Sequence, residues 1–587
     1  MGKLGTLIAA FALVAAGLSA PSAAAPGSPP EAQAEQLAAA GQAASTGRIG
    51  GADRYAVAVN ISKYRYADPA TAKVVYLTRS DTFADALTAG TLEDGPVLLV
   101  RPECGTLPAV TATEVARINP SRVIALGGTT SVCDKVLAQA AGGRATGRLG
   151  GVDRFESSAN IARGAFSGGS ATVYLTKGEV TPDAVVGGSL RDGPILLVSR
   201  DGRSVPAATA AVLAELNPTN VVALGGPASV SEAALTAAGA GRTVSRVGGA
   251  NRYEVAANIA KRAYPSRTSR AYIARGDGNN FVDAVVSGML KDGPVLLTPG
   301  TCEPVNSHTK AFLRARHPSA VVALGGTSTL CSSTLVGASM AARAKPDCAV
   351  LKCVAITYDD GPGAGTPTLL NTLASKRVPA TFFVVGQMVD GNPAPTRRAY
   401  VEGHTIGNHT WDHKQLTTLT KAQQQWEVDV TDNELGQHGV KATTLLRPPY
   451  GSYNTNTRNL GFPLILWDVD PRDWDGPPSS ATTRQNVVSA ARNGSIILMH
   501  DVHWNTVNAA PGIIDDLHSL GFTLVSLDEL VPGMKPGNVV YRRGSVTVQG
   551  VPADSSELGP VLDESGVPGL APDRSPQEIL QGAGNGG

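Results

Sequence analysis

The sequence predicts an α/β protein throughout: three tandem copies of one α/β unit, then a separate β/α domain. Three observations predict this. One block recurs along the chain: Arg48-Ile49-Gly50-Gly51-Ala52-Asp53-Arg54-Tyr55, then Arg148-Leu149-Gly150-Gly151-Val152-Asp153-Arg154-Phe155, then Arg246-Val247-Gly248-Gly249-Ala250-Asn251-Arg252-Tyr253. Within each copy, short Val/Ile/Leu runs alternate with Ala-rich stretches, the pattern of buried parallel strands covered by helices. Seven of the nine histidines lie between His404 and His518, which marks the C-terminal region as chemically distinct.

The N-terminus reads as a secretory leader over residues 1–25. Lys3 is a short positive region, residues 4–18 are apolar, and residues 19–25 are small. The apolar run is shorter than the ~20 residues a spanning helix needs, so no transmembrane segment is expected in the mature chain. An Ala/Gln/Pro-rich linker over residues 26–47 follows. At 587 residues the chain is too long for one core. A formal net charge of +1 argues against nucleic acid as a charge-driven partner.

The repeats begin at spacings of 100 and 98 residues (48 to 148, 148 to 246), which places the copies at residues 48–145, 146–244 and 245–345. Each carries a second block, Asp85-Ala86-Leu87, Asp183-Ala184-Val185 or Asp283-Ala284-Val285, and then Asp-Gly-Pro before an apolar run. Each closes on a Leu-Gly-Gly (residues 126–128, 224–226 and 324–326), where the chain must turn tightly after a strand. These blocks resemble the type-two cell-wall-binding repeat of Gram-positive surface proteins. The resemblance implies a pseudo-threefold unit that holds an anionic wall polymer. Arg54, Arg154 and Arg252 stand beside an acid or an amide, so an internal pair and a ligand contact are both open for them.

Six cysteines in an exported chain suggest disulfides. Cys104 and Cys133 in the first copy have the same separation as Cys302 and Cys331 in the third, and the second copy has Gly202 and Ser231 at the matching places. Cysteines that appear together or not at all predict Cys104–Cys133 and Cys302–Cys331, each contributing about 3–4 kcal/mol by loop closure. Cys348 and Cys353 remain to pair with each other.

The C-terminal region, residues 350–531, carries the chemistry. His409 and His413 are four residues apart, a spacing that puts both imidazoles on one face of a helix or helical turn. With a carboxylate from the Asp359-Asp360 pair they make a three-ligand site for a divalent metal that leaves a position for water. The second carboxylate is then free to take a proton. Apolar runs at 354–357, 379–386, 445–446, 464–467, 495–498 and 522–525 alternate with helical stretches, which suits a barrel whose strand ends carry the site.

Three further blocks follow in order: Arg447-Pro448-Pro449-Tyr450-Gly451, residues 467–474 and Ile497-Leu498-Met499-His500-Asp501. Together the five segments resemble the polysaccharide deacetylases of carbohydrate esterase family four, the NodB-homology domain. The resemblance implies a distorted (β/α) barrel with fewer than eight complete units. It also implies Asp360, His409 and His413 as metal ligands and Asp359 as general base. It implies further that Arg447 pairs with that base, that His500 is the general acid and that Asp473 orients it. By the same resemblance the backbone N–H of Tyr450 would face the oxyanion, and Leu498 and Trp474 would line the acetyl-methyl pocket. Zinc is the expected ion, with cobalt or another divalent ion as the alternative. Two histidines plus a carboxylate could also be a non-haem iron site, but the extra Asp, Arg and distal His suit hydrolysis better.

A secreted, wall-attached deacetylase of N-acetylglucosamine in peptidoglycan is therefore expected. An O-acetyl esterase on xylan or another acetylated polysaccharide, and a wall-binding surface protein with an idle catalytic domain, are the alternatives. His404, Asp501, His503, His438 and His518 are read as structural, loop or surface residues. Residues 539–548 suit a hairpin, and the Pro/Gly/Ser-rich residues 552–587 a disordered tail.

Overall fold

The computed structural model describes residues 42–547, apart from 82–83, 103, 180–181, 278–281 and 477. The expected leader, the linker up to residue 41 and the expected tail lie outside the described residues. Among the described residues no helix is long and apolar enough to cross a membrane.

In each repeat the block R-x-G-G-x-[DN] is a strand, a turn and a helix start. Asp53, Asp153 and Asn251 cap helices Arg54–Arg65, Arg154–Ala165 and Arg252–Ala263 by accepting first-turn backbone N–H groups. The neighbouring arginines reach elsewhere: Nη1 of Arg54, Arg154 and Arg252 donates to the carbonyls of Ser80, Gly178 and Gly276 at 2.6, 2.7 and 2.7 Å. The acid or amide thus serves the helix, and the arginine ties that helix to the end of the following strand.

Each repeat forms a four-stranded parallel sheet. Strand Val97–Val100, at one edge of the first sheet, is buried along its whole length, which explains its unbroken apolar sequence. The strand at the opposite edge comes from the opening block of the next copy. Ala145–Leu149 completes the first sheet and Thr243–Val247 the second. Ser45–Ile49 completes the third by pairing with Ala320–Leu324. Residues 45–47, assigned above to the linker, are therefore strand, because without them the third sheet would end on an uncovered edge. The three copies close into a ring with a shared core. At its centre Gly90, Gly188 and Gly288 meet backbone to backbone: a Cβ on Gly90 would lie 2.8 Å from the Gly188 Cα, and one on Gly288 2.6 Å from the Gly90 Cα.

All six cysteines are paired as the spacing predicts, with Cα–Cα separations of 5.5 Å (Cys104–Cys133), 5.2 Å (Cys302–Cys331) and 5.5 Å (Cys348–Cys353). In the second copy a hydrogen bond from the Ser231 N–H to the Gly202 carbonyl, 2.8 Å, spans the place of the disulfide.

The C-terminal unit is a distorted barrel. Strand Lys352–Asp359 is central, with Thr381–Val384 on one side and Ile496–His500 on the other, all parallel. Thr405–Asn408 follows Thr381–Val384, and the wall closes through single-residue bridges, Asn408 to Leu446, Leu446 to Leu464 and Val469 to Ile497. Val539–Arg542 and Ser545–Thr547 form the expected hairpin, and its first strand pairs parallel with Leu464–Ile465. The last repeat helix, Ser332–Ala342, lies against helix Pro393–Glu402 of the barrel, so closely that a Cβ on Gly337 would meet the Val401 carbonyl at 2.2 Å. Ion pairs Arg343–Glu529 and Arg397–Glu303 tie the two units together.

Candidate metal centre

Parallel strands deliver their C-terminal ends to one rim of the barrel, and the site lies there. Asp359 and His500 are register partners on adjacent strands, as are Thr357 and Leu498. Residues two apart on a strand share a face, so Thr357, Asp359, Leu498 and His500 line the same one.

Asp359 is 2 % exposed and Arg447 fully buried. The Arg447 guanidinium donates to Asp359 Oδ1 and Thr357 Oγ1, both at 2.7 Å, and to the Ile465 and Leu466 carbonyls. It also lies over the Phe383 ring at 4.3 Å. Every face of this cation is used, and its charge balances the buried Asp359.

Asp360 follows in a turn with φ 71°. Its Oδ1 lies 3.4 Å from His409 Nε2 and 3.3 Å from His413 Nε2. His409 Nδ1 is 2.7 Å from the Arg447 carbonyl, which only accepts, so the proton sits on Nδ1 and Nε2 presents a lone pair. Burial holds the His413 imidazole down to about 4, so it is neutral near pH 7. Asp360 Oδ1 is buried with no hydrogen-bond partner. Electron pairs thus converge around an orphaned carboxylate oxygen, and this donor set fits a divalent cation. Among the described residues, Asp360, His409 and His413 form the one group of His, Cys, Asp and Glu side chains placed to hold a metal.

The two histidines do not lie on a helix. They follow strand Thr405–Asn408 in an irregular loop, with φ of 70° at Thr410 and 62° at His413. The four-residue spacing works through this loop and not through helical periodicity.

On the other flank, His500 Nδ1 is 2.8 Å from Asp473 Oδ1, and the His500 N–H donates to Asp473 Oδ2. Thr506 Oγ1 also donates to Asp473. Burial alone would lower the His500 imidazole, but Asp473, with Asp360 and Asp359 beyond it, lifts it to about 10. It is therefore a cation near pH 7, with Nε2 as its second donor.

Tyr450 (φ 62°) stacks edge-on against His413 with ring centroids 4.8 Å apart. Leu498 is 3 % exposed, and Trp474 is half-buried and hydrogen-bonded to the Asp470 carboxylate. His404 is structural, its Nδ1 accepting from the Ala380 N–H at 3.1 Å.

Asp501, read above as a loop residue, is 1 % exposed. It accepts from Thr366 beneath the Gly361 turn, and burial pushes its carboxyl up to about 7. The missed partners, Asp501, Thr506 and Thr357, are single residues whose local sequence does not announce a partner. Only the position of Asp501 directly after His500 was a signal.

The family model described as polysaccharide deacetylase matches residues 348–462, and the one described as cell wall binding domain 2 matches residues 48–137, 148–235 and 246–335. Peptidoglycan-N-acetylglucosamine deacetylase PgdA of Listeria monocytogenes is 38% identical over 181 residues, 30% of this chain and 39% of that protein. The chain thus spans about two fifths of that relative. A peptidoglycan-N-acetylglucosamine deacetylase of Bacillus cereus is 35% identical over 191 residues, 31% of this chain and 88% of that protein. A solved structure described as a T48 deacetylase with substrate is 45% identical, covers 33% of this chain and 98% of its own, and superposes with a TM-score of 0.32.

Proposed function

This chain belongs to the polysaccharide deacetylase family, and from that membership we propose that it is a secreted, wall-attached, metal-dependent N-deacetylase of N-acetylglucosamine in peptidoglycan. The observation that carries the proposal is the orphaned Asp360 Oδ1 between two imidazole nitrogens, with a base on one flank and an acid on the other.

Asp360, His409 and His413 would hold the ion, zinc or another divalent cation such as cobalt. When bound, such an ion supplies Lewis acidity that lowers the pKa of water and polarises the acyl group. Asp359, ion-paired with Arg447, takes the proton of the attacking water. His500, kept charged by Asp473, gives its proton to the departing amine nitrogen. The C–N bond breaks, and acetate and a free amine leave. Tyr450 is the candidate donor to the oxyanion. Leu498 and Trp474 are the candidate walls for the acetyl methyl.

The substrate assignment rests on the peptidoglycan deacetylases among the relatives and on the three wall-binding copies. The ring would concentrate the catalytic unit at the polymer it grips. Acetate release from peptidoglycan, chitooligosaccharides and acetylxylan tests the proposal. Peptidoglycan is expected to be the best substrate, with glucosamine found by mass analysis. Release from acetylxylan alone would replace it with an esterase.

A further inference from the structure

The backbone between the two histidines is irregular, and it decides where their rings meet. We propose that Glu427, on helix Lys421–Gln437, is the positioning residue of this loop, the group that turns His409 and His413 onto one point. Glu427 is 2 % exposed. Its Oε2 accepts from the backbone N–H groups of Trp411 at 2.9 Å and Asp412 at 3.3 Å. These two amides lie between Thr410 and His413, the loop residues with left-handed φ. Such conformations persist in non-glycine residues only where the surroundings impose them.

The opposite side of the loop is held as well. The N–H groups of Gly386 and Gln387, at the start of helix Gly386–Gly391, donate to the Thr410 and Trp411 carbonyls at 2.9 Å each. Gly386 can approach only because it has no side chain: a Cβ there would lie 2.4 Å from the Trp411 ring. The loop is thus clamped between two donors on one helix and one acceptor on another. Lys414 Nζ lies 3.7 Å from Glu427 Oε1 and pairs with Asp412, while burial and the neighbouring Asp412 carboxylate raise the Glu427 carboxyl. Removing the Glu427 carboxylate leaves the Trp411 and Asp412 amides without their acceptor and frees the loop to relax. The two Nε2 atoms then lose their common focus.

The proposal rests on the deacetylase reading for the ion, but not for the loop, so two readouts separate them. The first is the zinc dissociation constant of the full chain, by chelator competition. The second is amide hydrogen exchange at Trp411 and Asp412 in the metal-free protein. Glu427→Ala is expected to weaken zinc ~10–100-fold and to speed exchange at those two amides, while the rest of helix Lys421–Gln437 stays protected. Glu427→Gln, with an acceptor oxygen at the same reach, is expected to stay within ~3-fold of the parent. Glu427→Asp keeps the charge but is one methylene short, and is expected to behave like the alanine variant.

The inference is overturned if Glu427→Ala matches the parent in both readouts. It is equally overturned if Glu427→Asp preserves affinity while Glu427→Gln loses it, since charge and not position would then be the role. Should Glu427→Ala fail to fold, the Gln and Asp variants decide alone. A parent chain that binds no divalent ion overturns the deacetylase reading, and the exchange rates then judge the clamp by themselves.

Discussion

Residue by residue, the centre is two buried pairs that flank an orphaned oxygen. Asp473 holds His500 as a cation, and Arg447 donates to Asp359 Oδ1. Asp473→Asn should remove the main group that lifts His500, so the alkaline limb of kcat/KM should move down by at least ~1 pH unit. A profile that does not move would mean that His500 is not the acid. The sign for stability follows from the same shift. An imidazole raised from its ordinary 6.5 to about 10 contributes stability in full below pH 6.5 and loses it as pH rises toward 10, as urea unfolding of the metal-free protein at pH 6, 8 and 10 would show. Arg447→Ala should leave Asp359 buried and uncompensated, destabilising the catalytic unit by ~3–5 kcal/mol in chemical denaturation. The paired carboxylates and the H-x-x-x-H spacing were legible in the sequence because they are local. Asp501, Thr506 and Glu427 were not, because each acquires its partner only when distant segments come together.

Among the elements, periodicity predicted the strands well and the strand partners poorly. Val/Ile/Leu runs announce burial on both faces, but nothing local says that Ser45–Ile49 will pair with Ala320–Leu324 and close the ring. The acid or amide beside each repeated arginine was legible as a fixed neighbour, yet its work as a helix cap appears only with the backbone in place. The histidine loop departs from the helical expectation because clamps from two helices override the local preference. The disulfides were the most legible long-range feature, since presence in two copies and absence in the third is a paired signal. At the ring axis, Gly288→Val would drive a side chain into the backbone of Gly90. It should lower the stability of the repeat unit by at least ~1–3 kcal/mol in thermal unfolding, with little effect on the barrel transition. A ring that melts unchanged would show that the three glycines do not pack as described.

Over the whole molecule, the proposed function divides gripping and cutting between two units joined by a close interface. A fragment ending at Arg343 should sediment with cell walls and release no acetate, whereas Asp360→Ala in the full chain should keep sedimentation and lose release. Failure of the fragment to sediment would remove the anchor role from the repeats. The contacts of Gly337, Arg343 and Arg397 fix the barrel against the third repeat, so the rim that carries Asp360 and His500 keeps one orientation to the ring. One cation is proposed to sit among Asp360, His409 and His413, and anomalous diffraction at the zinc edge from zinc-loaded crystals would locate it. A single strong peak is expected about 2.0–2.2 Å from Asp360 Oδ1, His409 Nε2 and His413 Nε2. An active, zinc-loaded protein with its peak elsewhere, or with none at those three atoms, would contradict it.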